Sequence, residues 1–61
     1  MKGFIEVTNN KVKFSVNINN IIAFGDRWIL SNGDEYQNIV DESYEKIKQL
    51  IKEAQLLKKW N

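Results

Sequence analysis

The apolar positions of this chain change their period once. Up to about residue 40 they recur in twos, and from Tyr44 onward they recur in threes and fours. Val12, Phe14 and Val16 alternate with Lys11, Lys13 and Ser15, the pattern of a strand with one buried face. Phe4–Thr8, bracketed by Gly3 and Asn9-Asn10, predicts a strand before it. Three more are predicted at Ile21–Phe24, Arg27–Ser31 and about Glu35–Val40. Asn17-Ile18-Asn19-Asn20 reads as a turn with one apolar anchor, since Asn tolerates left-handed backbone angles. Gly25-Asp26 suits a two-residue type II′ turn, and Asn32-Gly33 suits a type I′ turn.

Tyr44, Ile47, Leu50, Ile51, Ala54 and Leu57 fall on one stripe of a helical wheel, which predicts an amphipathic helix over about 44–59. Ser43 is placed to cap it by accepting from a first-turn amide. The fold class expected is α+β: an antiparallel meander of four to five short strands followed by one C-terminal helix, in a single domain over residues 1–61.

Two tight turns fix which residues share a face. The expected pairing sets Phe24 opposite Arg27, Ile22 opposite Ile29, Ile29 opposite Tyr36 and Trp28 opposite Gln37. One face then carries Ile22, Phe24, Ile29, Tyr36 and Val40, and the other carries Ile21, Ala23, Trp28, Leu30 and Ile39. Both faces are apolar, and one helix covers one of them. The second is sealed by a sheet curling on itself, by the first two strands folding over, or by another chain.

Size sharpens this point. A 61-residue chain buries only about 60% of its unfolded surface, so a domain of this length commonly leans on disulfides, metals or oligomerisation. Cys and His are both absent, which removes disulfides, thiolate and imidazole metal sites, and histidine-assisted nucleophiles. Oligomerisation is the remaining aid, with a homodimer as the first expectation. No run of about 18 apolar residues is present, so no membrane partner is expected, and a cytoplasmic setting is the default reading.

The net charge of +1 makes no strong claim on any partner. Residues 1–42 hold four basic and six acidic side chains, whereas residues 43–61 hold five basic and two acidic ones. Acids near a helix start and lysines near its end complement the helix dipole, which accounts for much of the asymmetry. Asp34, Glu35, Asp41, Glu42 and Glu45 read as turn and cap chemistry rather than as a cation site. Lys48, Lys52, Gln55 and Lys59 lie on one stripe, and the three lysines are candidate phosphate contacts. Trp28, Tyr36, Phe14 and Phe24 are candidate stacking residues for bases, against the commoner reading of strand aromatics as core. Leu56 and Trp60 fall off the main helical stripe and are candidates for a second contact surface.

The stretch Ser31-Asn32-Gly33-Asp34-Glu35-Tyr36, followed by Glu42-Ser43-Tyr44-Glu45-Lys46-Ile47, resembles the small flagellar FlbD family and related strand-then-helix proteins of bacteria and their phages. The resemblance implies the strand-then-helix architecture and carries over no catalytic residue.

No nucleophile–base pair, phosphate-cradling glycine loop or metal-ligand cluster is legible, so neither enzymatic activity nor a cofactor is expected. The leading expectation is a non-enzymatic, self-associating interaction module. Its setting is that of a phage or mobile-element accessory protein that binds and modulates a host protein or complex. Trp28, Leu30, Ile21, Ile39, Leu56 and Trp60 are its expected interface. The alternative is a nucleic-acid or small-nucleotide binder using Lys48, Lys52, Lys59 and the sheet aromatics.

Overall fold

The computed structural model describes residues 3–59, with side-chain surroundings through Gln55. Five antiparallel strands precede one helix, so the architecture is α+β as the pattern predicts. The strands are β1 (Phe4–Asn9), β2 (Val12–Asn17), β3 (Ile21–Gly25), β4 (Trp28–Ser31) and β5 (Asn38–Ile39), and the helix α1 is Tyr44–Lys59. They divide into a β1-β2 hairpin and a three-stranded sheet of order β3-β4-β5. A 3-10 turn, Ile18–Asn20, separates the two.

The β1-β2 turn is made by Asn10 and Lys11, which both take positive φ (50° and 72°) between the closing pair Asn9 and Val12. Positive φ at both central residues is the requirement of a type I′ turn, whose twist matches that of the flanking strands. The turn therefore falls one residue later than Asn9-Asn10, and Lys11 belongs to it rather than to β2. Lys carries a steric penalty at this angle that Gly does not. Lys11→Gly is expected to raise stability by about 0.5–1 kcal/mol, read as a higher midpoint in a thermal melt; a lower midpoint would contradict the turn assignment.

The Asn17–Asn20 turn forms for a different reason than left-handed backbone. Asn17 stays extended (φ −74°) and its side-chain oxygen accepts from the Asn19 amide at 2.9 Å. Ile18, its apolar anchor, packs against the core.

Both later turns also correct the sequence reading. Gly25 is a strand residue paired with Trp28, and Phe24 lies opposite Ile29 rather than Arg27. The turn is Asp26-Arg27, with the positive φ (66°) on Arg27. At Asn32-Gly33 only Gly33 has positive φ (92°), and the Asp34 amide donates to the Ser31 carbonyl at 3.0 Å. That is the pattern of a type II turn, which does not drive two strands together as type I′ does. Residues 34–37 are irregular, the Asn38 side-chain amide donates to Asp34 at 2.7 Å, and β5 shrinks to Asn38–Ile39. Tyr36, expected opposite Ile29, lies in this irregular stretch and is 80% exposed, and Asn38 takes its place.

One bulge changes which side chains face inward. The β3-β4 register shifts between Ile21 and Ala23, with Ile21 opposite Ser31 and Ala23 opposite Leu30. An extra residue in one strand reverses the alternation beyond it. Ile21, expected on the outer face, packs against the core, while Ile22, expected inside, is 63% exposed.

The two sheets are joined through residues 39–42. The Asp41 amide donates to the Thr8 carbonyl at 2.7 Å, the Thr8 amide donates to a Glu42 carboxylate oxygen at 2.9 Å, and Asn9 Nδ2 donates to the Ile39 carbonyl at 2.6 Å. On its other side this segment is held to β4, since the Val40 amide donates to the Arg27 carbonyl at 3.0 Å. The β layer thus runs β2-β1, the 39–42 segment, β4 and β3, and curls around one core. Ile5, Val7, Ile29, Val40, Ile47 and Ala54 are buried there, with Phe14, Val16, Phe24, Leu50 and Ile51 packed on them. Each fully buried Val or Ile contributes about 1.5–3 kcal/mol.

The helix closes this core by packing on β1 and β3. Its start is fixed twice. Ser43 Oγ accepts from the Lys46 amide at 3.2 Å, as the sequence suggests, and an Asp26 carboxylate oxygen reaches the Tyr44 amide at 3.4 Å. A carboxylate at this end also complements the helix dipole. The Asp26-Arg27 turn and the helix N-terminus are therefore tied together across 18 residues of sequence.

Candidate interaction surface

The face of β3-β4-β5 turned away from the helix is built from cross-strand pairs. Gly25 lies opposite Trp28, Trp28 opposite Ile39, and Ala23 opposite Leu30. Directly paired residues share a face, so Ala23, Trp28, Leu30 and Ile39 form one apolar surface, as the alternation predicts. Trp28 and Leu30 are half-buried and Ile39 is 58% exposed.

Gly25 is the floor of this surface. A Cβ placed there would lie 2.6 and 2.7 Å from Cε2 and Cζ2 of the Trp28 indole. The ring therefore covers the glycine, filling space that any other residue would occupy. Sequence reading missed this role because a glycine beside Asp is read as a turn. The signal available was a Trp placed to meet Gly25 across a two-residue Asp26-Arg27 loop.

Beside the indole row lies a shallow cavity of about 460 Å³, lined by Leu30, Glu35, Tyr36, Gln37 and Ile39. Its walls come from the irregular 34–37 stretch that replaces the expected long fifth strand. A second open cavity, about 400 Å³, lies between β3 and the helix, where Ile21, Ile22, Phe24, Tyr44 and Ile51 contribute.

The other candidate residues are dispersed. Phe24 stacks on Tyr44 (centroids 5.4 Å apart, planes at 19°), and the Lys48 ammonium sits 5.9 Å from the Tyr44 ring centroid. Such a cation over a ring gains about 0.5–1 kcal/mol when exposed. Lys52 is exposed. Lys59 is described in its backbone alone. Phe14 and Phe24 pack on the core, Trp28 lies on the outer face, and Tyr36 stands in the irregular loop, so these four do not form one stacking platform. Leu56 is described only as a helical residue, and Trp60 lies outside the described residues.

Two of the acidic residues have structural occupations. Glu42 accepts from the β1 amide of Thr8, and Asp34 holds Asn38. Among the described residues no cluster of three or more acidic side chains is arranged to hold a metal ion. Also among them, no helix is long and apolar enough to cross a membrane. The chain matches no known protein family, and neither a curated protein nor a solved structure gives a match.

Proposed function

We propose that this chain is a non-enzymatic, self-associating interaction module that works through the outer face of its three-stranded sheet. One observation carries the reading. Among the described residues the helix turns Ile47, Leu50, Ile51 and Ala54 to the core, and Trp28, Leu30 and Ile39 on the opposite face keep apolar surface open to water. With the neighbouring Tyr36 at 80% exposure, the patch gathers two aromatics and two branched aliphatics on a domain of 7.2 kDa. Aromatic anchors such as Trp and Tyr are enriched among the few residues that carry most of the energy of protein contacts.

Sedimentation across a wide concentration range tests the reading. The expected result is a mass rising from 7.2 kDa toward an oligomer, and a tenfold or greater weakening of association in Ile39→Lys. A mass of 7.2 kDa at every concentration would overturn it. Nucleic-acid or nucleotide binding has less support, because Lys48 lies against Tyr44 and the aromatics are dispersed over different faces.

A further inference from the structure

The charges at the two ends of β4 define how a second copy would lie on the outer face. β4 runs through the middle of the apolar surface from Trp28 to Ser31. Immediately before it stands Arg27, exposed, with its backbone at φ 66°. Beyond its far end stands Glu35, exposed, on the rim of the cavity that Leu30 and Ile39 line. Among the described residues neither side chain has an ion-pair or hydrogen-bond partner, whereas the neighbouring Asp34 is engaged by Asn38 and Asp26 by the helix start. Among those residues the central strand of the patch is therefore flanked by an unpaired positive charge at one end and an unpaired negative charge at the other.

This polarity is self-complementary. Turned half a revolution about an axis that lies between the two faces and runs across the middle of β4, a second copy presents its negative end to the first copy's positive end, and the reverse holds at the other side. A two-fold interface of this kind contains each contact twice. Parallel stacking would instead set arginine on arginine and glutamate on glutamate, which costs association.

We infer that the outer sheet face binds a second copy of this chain in one orientation, face to face with the β4 strands antiparallel, Arg27 of each copy meeting the partner's Glu35. This rests on the self-association proposed above. Trp28 then lies over the partner's Leu30, and the cavity beside Tyr36 is closed by the partner's sheet. Aligned sheet packing at about 10 Å separation is the ordinary way two such faces meet.

Charge exchange tests the orientation. Arg27→Glu alone places two glutamates together at both ends of the interface, and Glu35→Arg alone places two arginines together. Each variant by itself is expected to dissociate at least tenfold more readily than the parent in sedimentation at low salt. In an equimolar mixture of the two, one end of each mixed dimer sets the introduced glutamate against the native Glu35's replacement, an arginine, and the other end keeps the native Arg27 and Glu35 facing each other. Association near parental strength should then return, and should fall again in high salt. The mixture also guards against misfolding, since a variant that failed to fold would not be rescued by the other. A parent that dimerises while all four samples behave alike would overturn the orientation and leave self-association standing. A monomeric parent would overturn both.

Discussion

Replacing Ile47 by alanine is expected to cost about 2–5 kcal/mol, a large share of the folding free energy. Ile47 is fully excluded from solvent, at 0% exposure, and it stands one turn into the helix, where α1 faces the core. Truncating a buried Ile to Ala costs about 2–5 kcal/mol, from the lost transfer energy and from the cavity left behind. The total stability of a domain of this length is of the order of 3–9 kcal/mol at typical per-residue values. The helix has no other buried side chain near its capped end among the described residues, since Tyr44 is 41% exposed and the next buried position is Ala54. Guanidinium titration followed by helical circular dichroism reads the loss directly, at fixed protein concentration so that any association contributes equally. Lys46→Ala, on an exposed neighbour, is the control and should change stability by less than about 0.5 kcal/mol. An Ile47→Ala variant within about 1 kcal/mol of its parent would mean that the helix is not what closes this core.

The helix was legible because its information is local: the spacing of Ile47, Leu50, Ile51 and Ala54, and Ser43 ahead of them, need no other part of the chain. The alternation of β2 was legible for the same reason. The turns were read less well, because Asn and Gly say that a chain bends and not which of two neighbouring residues takes the positive φ. Asn10-Lys11 makes the type I′ turn while Asn32-Gly33, which has its ideal sequence, does not. What decides the latter is distant. Residues 39–42 are held by Thr8 and Asn9, 34 residues away in sequence for the Glu42 bond, and that attachment leaves β5 only two residues with which to pair. No local pattern carries such a constraint.

The outer apolar face survived these misreadings for a geometric reason. The β3-β4 register moved by two residues, from Phe24 opposite Arg27 to Phe24 opposite Ile29, and the β4-β5 register moved by two, from Trp28 opposite Gln37 to Trp28 opposite Ile39. A slip of two restores every side chain to its face, whereas a slip of one inverts the set. Trp28, Leu30, Ala23 and Ile39 therefore stayed together. The one-residue bulge between Ile21 and Ala23 is the odd step, and it is where the assignment failed: Ile21 went inward and Ile22 outward.

Gly25→Ala is expected to be the most damaging change on the sheet's outer face. Gly25 is not at a positive φ, so backbone freedom does not require a glycine there; the requirement comes from the Trp28 ring. An added methyl carbon would stand 2.6–2.7 Å from ring atoms that need about 3.5 Å, so the indole must tilt away or the strands must part. Overpacking of this kind costs about 1–3 kcal/mol. The cause can be separated from any generic intolerance by a double-mutant cycle. With Trp28→Ala as background there is no ring to displace, and Gly25→Ala should then be neutral or slightly stabilising through the lost glycine entropy. A coupling energy above about 1 kcal/mol is the expected outcome; costs that add within about 0.5 kcal/mol would show that the ring and the glycine are energetically independent. The same cycle bears on association. In the proposed dimer the indole lies between Gly25 and a second sheet, so Gly25→Ala should weaken that proposed self-association alongside stability, although residue 25 contributes no side chain to the contact.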